Sequence, residues 1–87
     1  MRIISQNGRI NVCYERVHIL IVTRLKAERT EYVIRAIDYI KNNMGADLAI
    51  YSSLEKAETV FEDLYLNLKG NIAVCILPAD DKVVLDG

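Results

Sequence analysis

Ser52-Ser53-Leu54-Glu55-Lys56-Ala57-Glu58-Thr59-Val60-Phe61-Glu62-Asp63-Leu64-Tyr65-Leu66-Asn67-Leu68-Lys69-Gly70 is the stretch from which the fold is read. With Ser52 as N-cap, Glu55 falls three residues later, the spacing of a capping box in which each side chain satisfies an unpaired first-turn amide. Leu54, Ala57, Phe61, Leu64 and Leu68 recur at three- and four-residue steps with Val60 beside them, while Glu55, Glu58, Glu62 and Asp63 take the other side. Gly70 after Lys69 is a stop signal. The pattern predicts one helix over about residues 53–69, with an apolar stripe to bury and an acidic face in water.

Around that helix the sequence reads as strands. Val17 to Leu25 is rich in β-branched residues and apolar on both faces, as is Ile72 to Leu77, which ends at Pro78, the only proline. Met1 to Ile4, Ile10 to Cys13 and Leu48 to Tyr51 are shorter strands, with Asn7-Gly8 as a hairpin turn between the first two. Val83 to Leu85 is a further edge-strand candidate. Thr30 to Asn43 fits two periods. Tyr32, Val33, Ala36, Ile37 and Ile40 against Glu31, Arg35, Asp38 and Lys41 suit an amphipathic helix capped by Thr30, whereas Tyr32 to Ile37 suits a strand. Strand is the preferred reading, with Asn42-Asn43-Met44-Gly45 as a loop. The fold class is therefore α+β: an antiparallel sheet of about four to six strands with one long helix on one face.

The chain has 87 residues, enough for one domain over 1–87. A chain this short buries only roughly 60–65% of its unfolded surface, so self-association is a natural supplement to its core. Apolar residues make up 52% of the chain, and one helix covers only one face of a sheet, which points to a homodimer or higher closed oligomer through the other face. Cys13 and Cys75 each sit in an apolar run without metal-ligand spacing, so they read as reduced, small hydrophobes and no metal or cofactor is expected. The amino terminus lacks the pattern of a signal peptide, and the longest apolar run, Ile19 to Val22, is too short to span a bilayer. A cytoplasmic protein is expected.

Charge is unevenly placed along the chain, whose net charge is −1. Residues 1–41 carry eight bases against four acids, residues 42–87 three against eight, and all six arginines precede residue 36. That polarity fits an anion-binding face, one half of a self-complementary surface, or two halves that interleave and neutralise each other.

Four blocks carry a resemblance: Met1-Arg2-Ile3-Ile4-Ser5-Gln6-Asn7-Gly8, Ile10 to Glu15, Ala49 to Ala57 and Ile76-Leu77-Pro78-Ala79-Asp80-Asp81. In these the chain resembles a group of small, largely uncharacterised proteins encoded by bacteriophages and prophages of Firmicutes. The resemblance implies an antiparallel sheet with one helix, and a phage accessory protein in the host cytoplasm.

Catalytic chemistry is not signalled. The single histidine, His18, lies mid-strand on the face of Arg16 and Arg24, among positive charge rather than beside a carboxylate, which suits anion binding better than general base work. The four glycines are too far apart for a phosphate loop, and Glu62-Asp63 and Asp80-Asp81 read as a solvated face and a turn. The net charge argues against nonspecific duplex binding. Arg16 and Arg24 stand about 27 Å apart at about 3.3 Å per residue, so one compact ligand cannot bridge them. The expected anion site is therefore Arg24 with Arg35, brought near by a hairpin, Arg29 as a third cation and Tyr32 as a stacking platform. Its occupant would be a host defence protein or a nucleotide, and surface arginines that merely keep the protein soluble are the competing explanation.

Overall fold

The computed structural model describes residues 1–38 and 45–85. Six strands and one long helix follow in the order β1 (Arg2–Ile4), β2 (Asn11–Cys13), β3 (His18–Leu25), β4 (Thr30–Ile37), β5 (Ala46–Tyr51), α1 (Leu54–Lys69) and β6 (Val74–Ile76). The α+β reading holds, with the strands divided between two three-stranded sheets, ordered β2-β1-β6 and β3-β4-β5. All pairs are antiparallel except β1 with β6, which run parallel because the helix intervenes and returns the chain.

Thr30 to Ile37 is a strand in the centre of the larger sheet. Its β-branched content wins over the helical period because both of its faces are buried in part, which a central strand exploits and a surface helix does not. Of the expected loop at 42–45, all but Gly45 lies outside the described residues, and Gly45 belongs to no helix or strand. Val83 to Leu85 forms no strand: the chain there follows a 3-10 turn at Asp80–Lys82.

Helix α1 begins one residue later than the capping-box reading places it. Ser53 is the N-cap, its hydroxyl accepting from the Lys56 N–H at 3.2 Å. Ser52 is drawn off instead by Asp80, whose carboxylate accepts from both its N–H and its hydroxyl. At the far end Gly70 caps the helix, and Asn71, with φ 59°, takes the left-handed turn that asparagine tolerates. The buried side is Ala57, Val60 and Leu64, narrower than the expected stripe, since Leu54 and Phe61 are exposed. That side shares one core cluster with Ile34, Ala36, Leu48, Ala49 and Tyr51 from the larger sheet, Ile3 from the smaller, and Leu77 just beyond β6.

Gln6 joins the two sheets. Its backbone N–H donates to the Leu48 carbonyl at 2.7 Å, its side-chain oxygen accepts from the Ile50 N–H, and its amide nitrogen donates to the carbonyls of Ile50 and Pro78. Gln6, two residues beyond β1, thereby takes up the edge of β5. The Asn7-Gly8 turn behind it is braced by Asn7 Oδ1, which accepts from the Ser5 hydroxyl and the Arg9 N–H, and by Gly8 at φ 76°, where a side chain would be strained.

Candidate functional site

Helix α1 covers one face of the β3-β4-β5 sheet, and strand alternation sorts residues between that face and the other. The register pairs Ile19 with Ala36, Ile21 with Ile34 and Thr23 with Tyr32 on the core side. His18 with Ile37, Leu20 with Arg35, Val22 with Val33 and Arg24 with Glu31 lie on the other, open side. Arg24 and Arg35 therefore share a face, four residues apart along the ladder. Tyr32 does not: it packs against the core, paired with Thr23 and Tyr51, so it is no stacking platform for the arginines. The odd-numbered step from Tyr32 to Arg35 dictates that separation.

A β-bulge completes the cluster. Ile34 pairs with Ala49, but Arg35 pairs with Asp47, so one extra residue of β5 sits opposite this point of β4. Unbroken alternation would turn Asp47 toward the core with Ala49 and Tyr51. The bulge instead brings Asp47 beside Arg35 and leaves Leu48 buried, re-aiming a charge without unburying an apolar side chain.

Across the open face runs an ion-pair chain. Arg29 reaches one oxygen of Glu31 at 3.4 Å, Arg24 Nε donates to its other oxygen at 3.2 Å, Arg24 Nη1 donates to Asp47 Oδ2 at 2.9 Å, and Arg35 Nε donates to Asp47 Oδ1 at 2.8 Å. Three guanidinium groups thus share two carboxylates, for a local excess of one positive charge. The Glu31 side chain is only 8% exposed, whereas those of Arg24 and Arg35 are 31% exposed. Partial burial pushes the Asp47 carboxyl up, but hydrogen bonds from Arg35 and Arg24, with their charges, outweigh it and hold the group below the ordinary aspartate range. Hydrogen bonding to Asp47 likewise raises the Arg24 guanidinium above its usual value, against the opposing effect of burial. Leu20, Val22, Ile37 and Ile50 supply the apolar ground around the chain of charges, over Val33, which is fully buried.

The expected trio Arg24, Arg29 and Arg35 is thus brought together, though through Glu31 and Asp47 rather than around an empty anion site. Among the described residues, Arg24 and Arg35 line neither of the two depressions beside the hairpin loop. A depression of about 450 Å³ lies round the hairpin loop, lined by Lys26 to Arg29 and Glu31, and a cleft of about 170 Å³ lies between Arg29, Tyr51, Ser52 and Asp80.

Two polar groups escaped the sequence reading. Asp80, taken for a turn residue, holds Ser52 and receives Lys56 Nζ at 3.4 Å; the Ser52 N–H lowers its carboxyl first, with the hydroxyl and Lys56 adding to it. Glu15 accepts from the Cys13 thiol and from the amino-terminal ammonium of Met1 and is held down at about 2, first by the thiol and then by the ammonium. Cys13 and Cys75 are free, partly buried thiols flanking β1 from opposite sides. Among the described residues no helix is long and apolar enough to cross a membrane.

No family model matches the chain, and no curated protein or solved structure is significantly similar to it.

Proposed function

We propose that the chain is a phage or prophage accessory protein that acts by binding rather than catalysis, in the host cytoplasm, by occupying a host defence protein. The observation that carries this reading is the open sheet face, where Arg24, Arg29, Glu31, Asp47 and Arg35 form a charge chain among partly exposed aliphatic side chains. Arginine set in apolar ground is the composition of protein-binding surfaces. A nucleotide is less well served, because at Arg24 and Arg35 it would have to displace Asp47 from two guanidinium groups. The partner surface is accordingly acidic and protein-like.

The same face supports self-association as a second reading, on the strength of its apolar ground at Leu20, Val22 and Ile50. A structural or regulatory phage subunit would use it in that way.

The test replaces Arg24 and Arg35 together with lysine, which keeps the charge but removes the fork that grips Asp47. Tagged chain expressed in a Firmicutes host should retain a host protein and no ultraviolet-absorbing small molecule, and the double variant should lose that protein. Retention of a nucleotide, or a host protein held equally by both forms, would refute the assignment. Light scattering separates the second reading: a dimer dispersed by the same substitutions supports self-association, and a monomer at micromolar concentration ends it.

A further inference from the structure

Among the described residues strand β3 has a single neighbour. Strand β4 pairs with it over all eight residues, and no other described backbone group bonds to Ile19 through Leu25. The hairpin fixes what the free edge offers. The Lys26 N–H donates to the Arg29 carbonyl at 2.8 Å, so Leu25 and Thr30 form a non-hydrogen-bonded pair of the ladder. Alternation then turns the N–H and C=O groups of Ile19, Ile21, Thr23 and Leu25 outward. Edges are ordinarily blunted by a central charge, a proline or a bulge. Between Ile19 and Thr23 this one has none of them.

Its side chains extend the offer on both faces. Leu20 and Val22 lie on the open side, Ile19 and Ile21 on the helix side. Helix α1 is tied on one flank to Asp80 by Lys56 and to Cys75 by Asn67. Roughly 150° round the helix, at about 100° per residue, exposed Leu54, Phe61 and Tyr65 occupy the flank turned away from those ties. Bases stand at both ends of the edge, with Arg16 before it and Lys26 at its close beside Arg24 and Arg29, which are already shared with Glu31 and Asp47; Glu28 is the one acid within the span from Arg16 to Arg29.

We infer that β3 is a docking edge for an extended segment of a partner protein, apolar at its centre and acidic at its ends, taken up as a fourth strand of the β3-β4-β5 sheet. Charge disfavours a second copy in two of its three registers. A closed pair would run β3 antiparallel to itself about a two-fold axis, with the outward residues facing one another. Of the registers that pair its apolar centre, one sets Arg16 opposite Arg24 and the next sets Arg16 opposite Lys26, each twice over, while the third sets Arg16 opposite Glu28. Cations directly opposed weaken a strand pair, and acidic ends would be attracted to the same positions. The inference rests on the reading of the chain as a binding protein, but it uses the sheet edge and not the open face.

The experiment titrates the full chain, isotope-labelled for NMR, with a short synthetic peptide of alternating valine and threonine bearing a glutamate pair at each end. Binding should slow amide exchange at Ile19, Ile21, Thr23 and Leu25. It should weaken at least about tenfold when lysine replaces the glutamates, as opposite-charge steering requires. Thr23→Pro removes one outward N–H and spares the ladder to β4, so it should abolish binding while leaving the thermal midpoint close to that of the parent. If that variant does not fold, adding salt to the intact chain tests the same attraction, and binding should fall as the ends are screened. Equal binding of the lysine-ended peptide, or no binding, overturns the inference. So does a dimer in which the four amides are already protected. Perturbation confined to Val33, Arg35 and Ile50 also overturns it, while leaving the open-face reading standing.

Discussion

Replacing Gln6 with alanine should separate the two sheets at their junction. The substitution keeps the Gln6 N–H to the Leu48 carbonyl but deletes three side-chain hydrogen bonds: to the Ile50 carbonyl at 3.2 Å, to the Pro78 carbonyl at 3.1 Å and from the Ile50 N–H at 3.1 Å. The two with Ile50 are exposed, so water replaces them at about 0.5 kcal/mol each, while the partly buried bond to Pro78 is worth about 1 kcal/mol, for a loss near 2 kcal/mol. In a domain of this size 1 kcal/mol moves the midpoint by about 4–8 °C, so a fall of about 10 °C is expected in thermal unfolding followed by circular dichroism. Faster exchange of the Ile50 amide should accompany it. Gln6→Glu keeps the acceptor for that amide and loses both donors, so it should restore the exchange protection without the full midpoint. The Pro78 carbonyl also accepts from the Tyr51 hydroxyl at 2.8 Å, and each donor covers for the other. Tyr51→Phe combined with Gln6→Ala should therefore exceed the sum of the single effects by about 1 kcal/mol, the cost of leaving a half-buried acceptor unmade. A midpoint within about 2 °C of the parent for Gln6→Ala, or strict additivity in the double variant, would refute the role given to this side chain.

Leu64→Ala, which empties a fully buried position between α1 and both sheets, should cost about 3 kcal/mol by chemical denaturation; a loss under about 1 kcal/mol would mean that the helix does not seal the core. Asp47, Asp80 and Glu15 are all held below their ordinary values in the folded chain, so their stabilising effect is complete above the unfolded carboxylate range and is lost as pH falls through the folded values. Stability measured against pH should accordingly be level from pH 7 to about 5 and decline below about 4, and a decline centred near pH 6 would contradict that account. Arg24→Gln should lower the thermal midpoint, because Glu31 would keep only Arg29 as a cation partner; Arg24→Gln with Glu31→Gln should recover part of the loss, and no recovery would show that the pair is uncoupled.

The helix was legible from its period and most strands from their β-branched content, whereas Thr30 to Ile37 fits two periods and is a strand through its central place in the sheet. Leu54 to Leu68 could be read as helical from three- and four-residue steps, and its limits moved by a single residue when Asp80, distant in sequence, claimed Ser52. The division into two sheets was not legible, since it depends on Gln6 and on the parallel pairing of β1 with β6, neither of which leaves a periodic trace. At the site, alternation correctly put Arg24 with Leu20 and Val22, and the hairpin brought Arg35 to the same face. The same alternation, applied to β4, places Tyr32 opposite Arg35, a step the expected stacking role overlooked. The bulge left a trace that went unread: in Ala46-Asp47-Leu48-Ala49-Ile50-Tyr51, unbroken alternation sets a carboxylate on the side of Ala49 and Tyr51. A charge that falls out of step with its apolar neighbours marks an extra residue in the strand.

The parallel pairing of β1 with β6 also sets the timing of folding. Ile3, fully buried, lies between Val12 on one side and Cys75 on the other, so half of its neighbours are synthesised some seventy residues after it. While the ribosome is still making α1, the hairpin of β1 and β2 presents a bare edge and an uncovered isoleucine. Closing that loop carries a chain-entropy cost which only the completed core repays. The N-terminal strand is therefore the element most exposed to wrong partners in the nascent chain, and loss of β6 would leave it so permanently.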